Sequence, residues 1–189
     1  MSREIETLPP LAHLGVEVPL SPRTGEPRRP AMITVAAVLC YVAIAAIAFS
    51  YGWHWYRAAF TTTYPVSAHL TQWVEPEPGK WVSLFLEFVY AGLAGLAGGA
   101  AGVVGFHAWK GRRWTKIGGF VAIGIIGLTA LLMNKFALIA LGIVAVASAL
   151  LWLPPVRRYF SQWAALDAEA PVRYRRPTQI HYGRLPRFQ

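Results

Sequence analysis

Four long apolar segments constrain this chain more than any other feature of its sequence. They cover residues 32–51, 82–106, 117–133 and 136–153. A helix needs about 20 apolar residues to cross a hydrocarbon core about 30 Å thick, and the first two segments are long enough. We therefore predict an all-α integral membrane protein with four transmembrane helices in two hairpins, together with short interfacial helices and extended tails.

The last two segments are shorter, and only Asn134-Lys135 separates them. A single helix through both would be about 55 Å long, far more than a bilayer core, so we interpret this dipeptide as a tight interfacial turn. Alternatively, the two segments form a re-entrant hairpin that enters the bilayer and returns without spanning it. Both arrangements put every charged cluster on the same side, so charge does not separate them.

Charge indicates the orientation of the chain. Only 14% of the residues are charged and 55% are hydrophobic, which is not the composition of a soluble domain. With both termini in the cytoplasm, 15 of the 18 basic residues lie on the cytoplasmic side, and only Arg57, Lys80 and Lys135 lie outside. We therefore predict a multi-pass inner (plasma) membrane protein. The net charge of +9 is clustered beside apolar runs, which favours anionic lipid over nucleic acid as its partner.

The remaining segments divide into two tails and one loop. Residues 1–31 form a proline-rich cytoplasmic tail without the pattern of a cleaved signal peptide. Residues 52–81 form an aromatic outer loop with a predicted surface helix, on whose face lie Val66, Leu70, Trp73 and Val74. In residues 154–189, an interfacial helix precedes a basic tail. Its apolar positions have helical spacing: Val156, Tyr159, Phe160, Trp163 and Leu166.

Few residues in the chain have the character of a chemical site. Glu87 is the one ionisable residue well inside a predicted span, where we expect it to reach water or pair with Arg57 or Lys80. A bond to another subunit and a proton relay are the alternatives. The five histidines lack the spacing of metal or haem ligands, and we predict no catalytic residue, cofactor or metal. We expect the single cysteine, Cys40, to be a small core residue.

The second span has the most specific pattern, two small-x-x-x-small pairs at Gly95/Gly99 and Gly98/Gly102. Such pairs allow two helix backbones to approach closely. The partner is either another helix of this chain, in which case the glycine-rich third span is the first candidate, or a helix of another subunit. Further interface candidates are Glu87, the loop residues Trp53, Trp55 and Trp73, and the tail residues Arg173, Arg175 and Arg176.

Two function classes remain: a small transporter that uses Glu87, and a non-catalytic accessory subunit of a larger membrane complex. A transporter is expected to show several intramembrane polar residues, broken helices or an internal repeat. The sequence shows one such residue and no repeat. We therefore favour the accessory subunit, with other integral membrane proteins and membrane lipids as its partners.

Two segments carry a resemblance to known proteins. Residues 29–38 (RPAMITVAAV) and 150–160 (LLWLPPVRRYF) resemble the segments that flank the first and last helices of small four-helix membrane proteins of actinobacteria, mycobacteria especially. The resemblance implies an accessory subunit of a cell-envelope complex. One setting is the mammalian-cell-entry (Mce) lipid importer, which recruits small membrane proteins such as the lipid uptake coordinator. The other is the respiratory cytochrome supercomplex. We favour the importer because the chain has no redox ligand.

Overall fold

The computed structural model describes residues 19–22 and 26–169, with side chains described as far as residue 166. Within these ranges the protein is all-helical, as predicted, apart from an isolated antiparallel bridge between Leu20 and Pro27. Most of the predicted N-terminal tail and residues 170–189 lie outside the described residues. The helices are α1 (Ala31–Ala58), α2 (His69–Val74), α3 (Trp81–Trp109), α4 (Thr115–Leu132), α5 (Ala137–Leu150) and α6 (Pro154–Glu169), with a 3₁₀ turn at Tyr64–Val66.

Four of these helices form a bundle. α1 packs against α3 and α5, and α4 packs against the same two helices, so α1 and α4 occupy opposite corners, as do α3 and α5. The two ends of the bundle differ in composition. The loop end contains the end of α1, residues 59–80, the start of α3 and the α4–α5 turn, and the basic end contains the α3–α4 turn and α6.

Three helices, α1, α3 and α4, are long and apolar enough to cross a membrane. α5 has 14 residues, about 21 Å at 1.5 Å per residue, and it is followed after a short break by α6 at a bend of 66°. The described residues therefore contain three candidate spans, or four if the bent pair counts as one. The predicted arrangement of four spans in two hairpins stays a prediction.

The outer surface of the bundle is apolar, as expected of a protein surrounded by lipid. Large exposed side chains point outward from all four bundle helices, for example Val38 and Phe49 on α1, Phe88 on α3, Phe120 on α4 and Ile139 on α5. A water-soluble bundle would cover this area, because exposed apolar patches of this extent are rare in soluble monomers. The surface therefore agrees with a multi-pass membrane protein.

The predicted loop 52–81 is shorter than expected, because α1 continues through an aromatic stretch as far as Ala58. The prediction of one continuous surface helix is also wrong, because two separate elements form here. Val66 belongs to the 3₁₀ turn, while Leu70, Trp73 and Val74 belong to the six-residue α2. Ser67 and Ala68 separate the two elements, and their side chains are buried against the bundle. The loop therefore covers the end of the bundle.

Small residues make up much of the bundle core. Alanines of every bundle helix are buried, and Cys40 on α1 is 2% exposed, in agreement with its predicted role as a small core residue. α1 and α3 approach each other closely at Gly105 of α3, where an added Cβ would lie 2.8 Å from the Cβ of Cys40. Glycine at position 105 is therefore required for α1 and α3 to approach as they do.

The predicted helix after Pro154-Pro155 is confirmed as α6, which begins at Pro154. The apolar positions Val156, Tyr159 and Phe160 are buried, and the Tyr159 hydroxyl donates to the carbonyl of Trp109 at 3.1 Å. Lys116 of α4 lies over the ring of Phe160 at 5.4 Å. These contacts hold α6 against the basic end of the bundle.

Candidate functional site

The most unusual group in the described structure is a hydrogen-bonded pair of His54 and Glu87 at the loop end. His54 lies in the last turns of α1, and its Nε2 is 3.1 Å and 3.0 Å from the two carboxylate oxygens of Glu87 in α3. The His54 side chain is fully buried, whereas the Glu87 side chain is 21% exposed. Glu87 is therefore partly exposed, and its partner is His54 and not the expected Arg57 or Lys80.

Aromatic side chains surround this pair. The ring of Tyr90 lies 4.4 Å from the His54 ring, and its hydroxyl is 2.5 Å from Oγ1 of Thr71 in α2. Burial raises the pKa of the nearby Tyr64, and the negative charge of Glu87 raises it further. The loop is thus bound to α3 by side chains that also enclose the His54–Glu87 pair.

A second polar group joins α1 to the α4–α5 turn. Ser50 donates a hydrogen bond of 2.8 Å to Oδ1 of Asn134, and Nδ2 of Asn134 donates one of 3.0 Å to the Ser50 carbonyl. The same Oδ1 accepts the backbone N–H of Phe136. The backbone N–H of His69 donates to the carbonyl of Met133 at 2.7 Å. The break predicted at Asn134-Lys135 is therefore a turn that is bonded both to α1 and to the loop.

The polar side chains of the loop end are not continued along α1 towards the basic end. Below the polar side chains, the buried core of the bundle is mainly apolar, with residues such as Ala97, Ala101 and Ile126, and its buried polar side chains include Thr129 on α4 and Ser148 on α5. A proton path through the bundle needs successive polar groups, and the described core shows none between Ser50 and the basic end on α1. In the described part of the chain, no three His, Cys, Asp or Glu side chains are grouped as metal ligands would be.

The two glycine pairs of α3 lie in different environments. A Cβ at Gly98 or Gly102 would meet Ile44 of α1, at 3.8 Å and 3.2 Å. A Cβ at Gly95 or Gly99 would meet nothing within 4 Å. The Gly98/Gly102 side thus packs within the chain, against α1 instead of the glycine-rich α4, and the Gly95/Gly99 side faces outward.

The remaining interface candidates are scattered. Trp53 is half-buried on α1, in ring contact with Phe136, while Trp55 and Trp73 are exposed. Such aromatic side chains at the end of a membrane helix are typical of the lipid–water interface. The tail candidates Arg173, Arg175 and Arg176 lie outside the described residues.

The sequence does not pair His54 with Glu87, because the apolar run ends at Tyr51 and His54 falls in the predicted loop. A signal was present. The buried positions of α1 are Ile33, Ala36, Ala37, Cys40, Ala43, Ile47, Ser50 and His54. From Ala37 onward these positions follow one another at steps of three and four residues as far as His54, which indicates that the helix continues with its buried face towards α3 and α5.

Comparison with known proteins gives no assignment for this chain: no family model, curated protein or solved structure matches it.

Proposed function

We propose that this protein is a non-catalytic accessory subunit of a larger membrane complex, which it joins through an open glycine-lined face of α3. The observation that carries the proposal is the contrast between the two sides of this helix. The side with Gly98, Gly102 and Gly105 packs against α1, whereas Gly92, Gly95 and Gly99 have no atom within 4 Å of a Cβ position.

The open face is continuous along the helix. Residues 88, 92, 95, 99 and 106 follow one another at steps of three, four and seven, so they lie on one side of α3. Phe88 is 78% exposed at the loop end of this strip, and Phe106 is 50% exposed at the other end. The face is therefore a shallow backbone groove between large aromatic side chains.

A second membrane helix is the occupant that fits such a groove. Apolar surface gives little drive for association in lipid, so helices associate through close packing, and small residues permit that packing. Gly95 and Gly99 form a small-x-x-x-small pair, and no described helix of this chain packs against it. A partner helix would gain backbone contacts there that lipid chains provide poorly.

The actinobacterial resemblance supplies the setting for this proposal. It favours a cell-envelope lipid-transport complex of the Mce type, with a respiratory cytochrome supercomplex as the other setting. Both settings use small membrane subunits, and the α3 face is compatible with either. We further propose that both termini lie in the cytoplasm, since the described basic residues concentrate at the basic end.

Co-purification from native membranes tests the proposal. The tagged chain is solubilised in mild detergent, and its partners are identified by mass spectrometry. We expect the double variant Gly95→Leu/Gly99→Leu to insert normally and to lose its partners. The matched control is Gly124→Leu/Gly142→Leu, because both glycines are exposed on other helices with nothing within 4 Å. If both double variants retain the same partners, or if the wild type purifies alone, the proposal is wrong.

A small transporter is the second candidate function, and the His54–Glu87 pair is the observation that favours it. A buried histidine paired with a carboxylate inside a membrane helix is costly and is often functional. This candidate predicts a flux in proteoliposomes that Glu87→Gln abolishes. An accessory subunit predicts no flux in either protein.

A further inference from the structure

We propose that the loop end carries a binding site for an anionic phospholipid, with the phosphate in a cationic cleft and an acyl chain in the aromatic groove beside it. The cleft has a volume of 280 Å³, and its lining includes Trp53, Arg57, His69, Gln72, Lys135 and Phe136. The proposal concerns a ligand of this chain alone and does not depend on any partner protein.

The charge of the cleft is positive. Arg57 and Lys135 line it, and none of its lining residues is an aspartate or a glutamate. Two carboxylates at this end have other partners: Glu87 is hydrogen-bonded to His54, and Glu77 pairs with Lys80. Among the described residues, no carboxylate lies within ion-pair distance of Arg57 or Lys135.

Arg57 is the stronger indication of a ligand. Its Nε is buried and has no hydrogen-bond partner among the described residues. Buried donors are nearly always satisfied, and leaving one unpaired costs about 1–3 kcal/mol. A guanidinium group matches the oxygens of a phosphate, and a nearby lysine adds a point charge. An anionic phosphate in the cleft would satisfy both side chains.

An apolar groove adjoins the cleft and shares Trp53 with it. The groove is lined by Phe49, Gly52, Trp53 and Tyr56, with a volume of 320 Å³. Gly52 has no atom within 4 Å of a Cβ position, so its missing side chain leaves the groove open. The groove runs along the side of α1, which faces lipid, whereas the cleft lies at the helix end.

A polar cleft at the helix end and an apolar groove beside it correspond to the headgroup and the acyl chain of a lipid. Aromatic side chains such as Trp53 and Tyr56 lie at the depth of the headgroups when they flank a membrane helix. A phosphate in the cleft would be at that depth, and the chain attached to it would descend along the groove. A free phosphate would use only the cleft and would leave the groove without a role.

Native mass spectrometry of the purified full-length chain tests this site. The protein in maltoside detergent is titrated with phosphatidylglycerol, and phosphatidylcholine serves as the zwitterionic comparison. We expect preferential binding of phosphatidylglycerol, and a loss of about tenfold in affinity for either Arg57→Gln or Lys135→Gln, the effect of one charge-assisted contact. The matched control is Lys80→Gln, the same charge change at the same end in a lysine that pairs with Glu77. It should bind as the wild type does.

Two further measurements separate a lipid site from a phosphate site. Gly52→Leu fills the groove, and we expect it to weaken phosphatidylglycerol binding while the cleft is unchanged. Glycerol phosphate, which has the headgroup without the chains, should compete poorly. The proposal is overturned if Arg57→Gln and Lys135→Gln bind like Lys80→Gln, or if both lipids bind equally. Full displacement by glycerol phosphate, with no effect of Gly52→Leu, would establish a free-phosphate site instead and overturn the lipid assignment.

Discussion

The contact between α1 and α3 at Gly105 leads to a quantitative prediction for a single methyl group. In Gly105→Ala the new Cβ would lie 2.8 Å from Cβ of Cys40 and 3.4 Å from the carbonyl oxygen of Ala37. Carbon atoms in ordinary contact are about 3.5–4.0 Å apart, so the helices must separate by about 0.7 Å or more. Neither obstructing atom can move away by rotation of a side chain, because one is a Cβ and the other is backbone.

The size of the effect follows from two opposing terms. Overpacking of a close-fitting core costs about 1–3 kcal/mol, and replacement of a helical glycine by alanine returns about 0.5–1 kcal/mol. The difference lies between about 0 and 2.5 kcal/mol, and because backbone is among the obstructing atoms we expect Gly105→Ala to lower the free energy of unfolding by about 1–2 kcal/mol. Two glycines of the same helix complete a graded series. Gly102→Ala meets the flexible end of Ile44 at 3.2 Å and should be near neutral, while Gly99→Ala meets nothing within 4 Å and should be neutral or stabilising.

Unfolding in mixed micelles of maltoside and dodecyl sulfate, followed by tryptophan fluorescence, measures this series. The three variants differ from the wild type by the same methyl group, so differences in helix propensity cancel between them. We expect the midpoint to fall in the order Gly99→Ala, Gly102→Ala, Gly105→Ala. If Gly105→Ala is as stable as Gly99→Ala, the close approach of α1 and α3 is not as described and the reasoning fails.

Three further predictions concern the loop end and use the same assay. Asn134→Ala removes both side-chain bonds to Ser50, and we expect a loss of about 1–3 kcal/mol; an unchanged midpoint would contradict this link. Glu87→Leu leaves buried His54 without its partner and should cost about as much, whereas Glu87→Gln keeps one hydrogen bond and should cost less, so equal losses would argue against the pair. Because the pKa of Tyr64 is raised from 10.0, its contribution to stability is complete below pH 10 and is lost as the pH rises through the folded pKa. Tyr64→Phe should flatten this alkaline loss, and parallel pH curves for the two proteins would contradict the assignment.

The apolar pattern of the sequence predicted most of the helical fold. Long apolar runs identified α1, α3 and α4, and the spacing from Val156 to Leu166 identified α6. The limits of α1 were harder to predict, because its last turns are aromatic and polar. Hydropathy identifies helices that contact lipid. It does not identify the last turns of α1, because these turns are stabilised by contacts with the loop and with Glu87.

The candidate site was largely beyond prediction from the sequence. His54 and Glu87 are 33 residues apart, and Ser50 and Asn134 are 84 residues apart, so only the bundle brings each pair together. The two glycine pairs of α3 have the same composition. Side chains of α1 such as Ile44 determine which pair faces α1. The spacing of the glycines in α3 does not predict this choice.

The unequal lengths of opposite helices give the protein a thick side and a thin side. α3 has 29 residues, about 43 Å, and diagonally across the bundle α5 has 14 residues, about 21 Å. α3 is longer than a bilayer core about 30 Å thick, whereas α5 is about 9 Å shorter than that core. Mismatch costs fractions of a kcal/mol per Å, so a bilayer that α5 crossed alone would carry a strain of roughly a few kcal/mol beside it unless it thinned. If α5 crosses the membrane as a separate span, the protein should favour thin bilayers or neighbours that cover α5.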